Sequence, residues 1–426
     1  TDAANNTVTG SIDVVVSDNE NPKITLGSDI SRNTDSGQCT ASIAIPNTTF
    51  SDNCSGETLS WTMSGATTDS GSNQVGTKTF NIGTTAINYT VTDAANNTVT
   101  GSIDVVVSDN EDPKITLGSD ISRDTDSGQC TASIAIPNAT FSDNCTGETL
   151  SWTMSGATTN SGSNQVGTKT FNKGQTTITY TVTDAAGNFI TEDLLVTVTD
   201  TEDPTITLGS PITKPTDAGQ CSASIVVPNA TFDDNCSGSS LSWTMSGATT
   251  ATGSNQVGTK TFNKGQTTIT YKVTDAAGNF ITEDLLVTVT DNEDPTITLG
   301  SPISKPTDAG QCSASIVIPN ATFDDNCSGS SLSWTMSGAT TNSGSNQVGT
   351  KTFNKGQTTI TYKITDAAGN FITEDLLVTV TDNEDPTITL GSPITKPTDA
   401  GQCSSSIVIP NATFDDNCSG SSLSWT

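Results

Sequence analysis

The chain has 426 residues, 46 acidic against 16 basic side chains and no histidine, for a formal net charge of −30 at neutral pH. So acidic a field excludes nucleic acid as a partner and favours solvation and divalent cations. The absence of histidine also removes the base of the usual Ser–His and Cys–His catalytic pairs. Apolar residues make up 32% of the chain and alternate with Ser and Thr, the pattern of half-buried strands and not of disorder.

The sequence repeats every 91 residues: Asp18, Asp109, Asp200, Asp291 and Asp382 each open a copy, and the five tryptophans and ten cysteines keep the same interval. Such self-similarity predicts an array of small domains and not one large core. Four whole repeats span 18–108, 109–199, 200–290 and 291–381. Residues 1–17 read as the C-terminal part of a truncated repeat and 382–426 as the N-terminal part of another. The chain is therefore expected to be a fragment, and its targeting signals are not legible in it.

Within 291–381 the elements run as follows. Pro295–Gly300 is a short first strand, and the Pro- and Gly-containing stretch up to Gln311 is a loop. "CSASIVIP" is a second strand ending at Pro319, and "NATFDDNCSGSS" is a polar loop. "LSWTMSG" places Leu332, Trp334 and Met336 on one face. Another strand runs into Phe353, "NKGQ" reads as a hairpin turn, and the next strand turns Ile360, Tyr362 and Ile364 inward. "DAAGN" is a turn, and "FITEDLLVTVT" is a last strand entering the next acidic knot directly. About seven strands with regular turn signals predict an all-β, immunoglobulin-like sandwich. Strand-to-strand continuity with no slack predicts a stiff, extended rod of tandem domains, each about 35–45 Å long. Repeats 200–290 and 291–381 differ at six positions, none of which changes a charge, so they read as copies of one spacer. The aromatic residues are all expected to face inward.

Two cysteines per repeat at C-x14-C spacing point to an oxidising compartment. The local pairing joins Cys39–Cys54, Cys130–Cys145, Cys221–Cys236, Cys312–Cys327 and Cys403–Cys418. Each such loop would contribute roughly 3 kcal/mol in the chain-entropy model. Pairing between neighbouring repeats is the alternative. Zinc is disfavoured, because two thiolates without histidine leave a tetrahedral site unfilled.

The remaining chemistry lies in the carboxylates. The knot "TDNEDPTI" and the "DAAGN" turn belong at the same end of a sandwich, where their oxygens suit calcium. This makes Asp291, Glu293, Asp294, Asp366 and Asn370 one candidate set, and Asp200, Glu202, Asp203, Asp275 and Asn279 the equivalent one. The first knot has Asn21 in place of the fourth-position Asp and would bind more weakly. The competing reading is that these acids cap turns and keep the surface soluble. Acids in near-identical repeats do not suggest an enzyme.

The succession "DNEDP", "GQC", "FDDNCSG", "VGTKTF", "TTITYKITDAAGN" and "VTVTD" resembles the hyalin repeat, an immunoglobulin-like extracellular module. The cysteine that the family often carries after the "GN" turn is absent from "GNFITEDLLV". The Cys312 and Cys327 pair is similar to the bacterial variety, found in tandem in giant surface adhesins such as those of gliding Bacteroidetes exported by type IX secretion. The resemblance implies the extracellular stalk of a long cell-surface adhesin. Its partners would be surfaces or glycans, reached through a tip outside these residues, and the motility or secretion machinery of the cell surface. A multivalent glycan-binding array, or a spacer in a secreted enzyme, is the alternative.

Overall fold

The computed structural model describes all 426 residues, and every regular element is a β-strand. No helix is long and apolar enough to cross a membrane. The chain forms two compact units, Thr1–Glu202 and Asp203–Thr426.

In the first unit, residues 18–108 fold as nine strands: β1 (Lys23–Thr25), β2 (Ile30–Asn33), β3 (Thr40–Ala44), β4 (Thr49–Ser51), β5 (Thr58–Gly65), β6 (Asp69–Ser72), β7 (Thr77–Asn81), β8 (Gly83–Thr92) and β9 (Thr98–Ser108). The same nine recur between Lys114 and Thr199, and in the second unit between Thr205 and Thr290 and between Thr296 and Thr381. One sheet has the order β2-β9-β8-β5-β6, and β1–β4 and β3–β7 form two smaller ladders. All pairs are antiparallel except β2 with β9, where Ile30 lies beside Val105. The sandwich predicted from the alternation is thus present in each whole repeat.

Period-2 patterning decides what is buried. Along β8, Thr85, Ile87, Tyr89 and Val91 point inward and are at most 1% exposed. They meet Leu59, Trp61 and Met63 of β5 and Ala41, Ile43 and Phe80 of the small ladder. Full burial of each large apolar side chain contributes about 1.5–3 kcal/mol. Trp61 faces Gly71 across the ladder, and a Cβ at Gly71 would stand 2.9 Å from Trp61 Cε2. The glycine therefore leaves room for the indole, and Lys78 covers the ring at 5.1 Å.

Three expectations need correction. Nine short strands replace seven: β2 and β4 lie in segments read as loops, and β6 is a separate strand at the start of the one read as running into Phe353. With three or four residues each, they show no usable period. Pro215 and Pro306 end the later copies of β2, as an edge strand allows. "NKGQ" is not a hairpin turn: β7 pairs with β3 and β8 with β5 and β9, so the chain crosses between sheets there. Finally, Phe189, Phe280 and Phe371 at the start of the last strand are 60%, 52% and 52% exposed. Lys272 and Lys363 lie over the latter two rings at 4.0 and 4.1 Å.

The repeats also contain a natural comparison. The Tyr89 hydroxyl hydrogen-bonds with Thr48. Ala139, Ala230 and Ala321 replace that threonine, and the hydroxyls of Tyr180, Tyr271 and Tyr362 are buried without a partner. Ala321→Thr is therefore expected to stabilise its repeat by about 1 kcal/mol, read as a higher denaturant midpoint with unchanged slope.

Candidate functional site at the seam between repeats

The cysteines do not pair locally. Cys39 bonds to Cys145, Cys221 to Cys327 and Cys312 to Cys418, each 106 residues apart. Cys130 and Cys236 are also disulfide-bonded, whereas Cys54 and Cys403, expected in bridges, are free and exposed. In the pairs just given, the first cysteine of one repeat joins the second of the next. The reason is the course of β3. Cys39 precedes this strand and Cys54 follows β4, so the strand carries the two toward opposite ends of the sandwich. Five strand residues span roughly 17 Å, whereas a disulfide tolerates about 7 Å between Cα atoms. The Cα atoms of Cys221 and Cys327 are 4.8 Å apart.

Around each bridge the acidic knot is clamped. In the second unit the Asp291 side chain is fully buried, and its Oδ2 accepts an ion-paired hydrogen bond from Lys264 of the preceding repeat at 3.0 Å. Its Oδ1 accepts from Asn326 Nδ2 at 3.2 Å. The same amide donates to the Gln220 carbonyl at 3.0 Å, reaching back across the seam. Asn370 Nδ2 donates to the Asp291 carbonyl at 3.1 Å, tying the "DAAGN" turn to the knot. Glu293 accepts from the Gly219 N–H at 2.9 Å. At residues 382–426 the clamp recurs: Lys355 pairs with Asp382 at 2.9 Å, and Asn417 donates to the Gln311 carbonyl at 3.0 Å.

The carboxylates of Asp291, Asp325 and Asp366 each bring an oxygen to within 4.8 Å of the others. Of the predicted set, Asp291, Asp366 and Asn370 therefore converge. Glu293 is exposed and engaged with Gly219, and Asp294 points to solvent. In the equivalent set Asp200 is buried and paired with Lys173 at 3.1 Å, Glu202 accepts from Gly128 at 2.8 Å, and Asp203 is exposed. Asp275 accepts the Asn279 amide at 2.8 Å and the Gly278 N–H at 2.6 Å. The fourth knot position faces water in these copies, so an Asn there, as at Asn21, leaves the cluster unchanged. Asp325, Asn326 and Lys264 were not in the sequence-derived set. The lysine was nonetheless visible, because Lys173, Lys264 and Lys355 hold one position of the period and Ile82 breaks it.

Electrostatics reflect the crowding. Burial, and then the negative charges of Asp291 and Asp366, pushes the Asp325 carboxyl above its ordinary value. For Asp366 burial works in the same direction, but the Asn370 amide and the N–H groups of Gly369, Asn370 and Ala368 outweigh it and hold the carboxyl low.

The seam at Asp109 differs in one respect. Its knot accepts from Asn144 at 3.1 Å and Thr34 at 3.3 Å, and Asn144 donates to the Gln38 carbonyl at 3.0 Å. The lysine position, however, is Ile82. Asp109 is 8% exposed, yet its Oδ2 is buried without a hydrogen-bond partner, as are Asp143 Oδ1 and Asn144 Oδ1. Oxygens of Asp109 and Asp143 lie within 4.8 Å of each other. Burial together with the charges of Asp109 and Asp184 raises the Asp143 carboxyl. Of the three orphaned acceptor oxygens, Asp109 Oδ2 stands where the Asp291 seam carries an ammonium group, whereas Asp325 Oδ1 and Asn326 Oδ1 lack a partner beside Lys264 as well. This donor set is all oxygen, of the kind that hard divalent cations take, since the neighbouring Cys145 sulfur is committed to its disulfide.

Residues 17–107, one repeat, match the family model described as HYR domain. Hyalin of Strongylocentrotus purpuratus is 29% identical over 351 residues, covering 79% of this chain and 27% of that protein. Hyalin of Lytechinus variegatus is 28% identical over 383 residues, covering 84% and 66% respectively. The chain thus spans less than two thirds of either relative. Among solved structures, a tetra-tandem repeat in the extending region of a large adhesion protein is 14% identical with a TM-score of 0.39, covering 81% of this chain and 97% of that one. The family match and the two relatives support repeats of the HYR type.

Proposed function

We propose that these repeats are the stalk of a long extracellular adhesion protein. They hold an adhesive tip away from the cell and support attachment or gliding over a surface. The observation that carries this reading is the seam within each unit, where a disulfide joins consecutive repeats beside an acid clamp. Its disulfides fit an oxidising compartment, and the similarity to hyalin supports a non-enzymatic, cell-adhesion role. The partners are extracellular surfaces or glycans at the tip and the cell-surface machinery at the base. Small-angle scattering of the oxidised chain tests the stalk. Repeats of about 40 Å in line predict a radius of gyration of roughly 50 Å, whereas a value near the ~22 Å of a compact chain this long would refute it.

Calcium belongs to this reading at the Asp109 seam. Asp109, Asp143 and Asn144 would hold it, and its charge would replace the missing ammonium. The thermal midpoint of the first unit is expected to rise with calcium over chelator, and Ile82→Lys is expected to abolish that difference. A calcium response unaffected by Ile82→Lys would place the ion elsewhere.

A second reading, a multivalent glycan-binding array, is favoured by the outward Phe189, Phe280 and Phe371. Polysaccharide binding lost on their joint replacement by serine would support it.

A further inference from the structure

The disulfides of the second unit overlap. The Cys221–Cys327 bridge closes after the Cys312–Cys418 bridge has opened, so the two share residues 312–327. Three covalent routes therefore connect the two bridges. Residues 221–312 and 327–418 supply routes of 91 residues each, and residues 312–327 a route of 15. Under tension the shortest route becomes taut while the other two stay slack.

We propose that this interleaving makes the array a covalently short-circuited, nearly inextensible tether. Load crosses each repeat along its own cysteine-to-cysteine segment, Cys312 to Cys327, which contains the strands Ser313–Val317 and Thr322–Asp324. Fully drawn out, 15 residues reach about 50 Å. That is close to the roughly 35–45 Å expected of the folded repeat. Pulling on the chain thus cannot draw out the long segments between the bridges, because they hang off the load path. Without the bridges, the stretch from Cys221 to Cys418 would draw out to roughly 650–700 Å.

The overlap follows from two lengths in the sequence. A bridge of 106 residues on a period of 91 leaves 15 shared, so each further repeat joined in this way adds only its short segment to the path. The inference rests on connectivity and not on the stalk reading, since a compact array with the same bridges would meet the same limit.

Single-molecule stretching of the full chain, oxidised and then reduced, tests it. At forces that unfold the reduced chain, the oxidised stretch between Cys221 and Cys418 is expected to lengthen more than tenfold less. Cys418→Ser keeps the Cys221–Cys327 bridge and opens the other, and it should release about 300 Å without reductant. The limit is covalent, so it reads the same after the sandwiches have unfolded. Full release from the oxidised protein, or equal release before and after reduction, would overturn the proposal.

Discussion

Lys264→Ile is expected to destabilise the second unit by about 3 kcal/mol in chelator, lowering its midpoint by roughly 6–12 °C. The substitution writes the Ile82 of the first repeat into a later one. It strips the ammonium from Asp291, whose side chain has no exposure, and leaves a buried carboxylate with the Asn326 amide as its remaining side-chain partner. Removing one partner of a buried ion pair costs more than the pair contributes, because the other charge stays desolvated. The low end of the usual range applies because Lys264 keeps 24% of its side chain in water. Calcium is expected to restore most of the loss, since the variant recreates the oxygen set found at Asp109. No destabilisation would mean that the seam needs no cation at all. Destabilisation indifferent to calcium would mean that the lysine is structural and no ion replaces it.

Trp334→Ala is expected to cost its repeat about 3–5 kcal/mol. The indole is 4% exposed and packs into the core with Phe353, Ile360 and Tyr362, over Gly344, which cannot fill the gap. Its N–H has no partner in the fold, so the loss is one of packing and not of hydrogen bonding. Chemical denaturation followed by amide hydrogen exchange of residues 291–381 checks it, and a change below 1 kcal/mol would mean that the core collapses around the cavity. The bridges to the neighbouring repeats should remain formed in the variant, so the transition reports the sandwich alone.

Most of the core was legible because burial follows a period of two. Leu332, Trp334, Met336, Ile360, Tyr362 and Ile364 face inward as the alternation required. The short strands escaped notice because three residues carry no period, and Phe371 escaped because an aromatic at a strand's first residue obeys the turn before it. The seam was harder still. Asp291 and Asp366 could be placed at one end from strand order, but Lys264 and Asn326 reach Asp291 from opposite sides of a repeat boundary, a pairing that spacing does not encode. The cysteines show this most sharply. C-x14-C fits a local ring and an interleaved ladder equally well, and only the direction of the strand between them decides. A bridge spanning about 100 residues also closes a far larger loop, about 4.7 kcal/mol against roughly 3 for the local ring in the entropic account.

That choice is the centre of the account, and non-reducing peptide mapping of the oxidised protein by mass spectrometry decides it. Cross-linked peptides joining Cys221 to Cys327 and Cys312 to Cys418 are expected; peptides joining Cys312 to Cys327 would overturn the interleaved pairing.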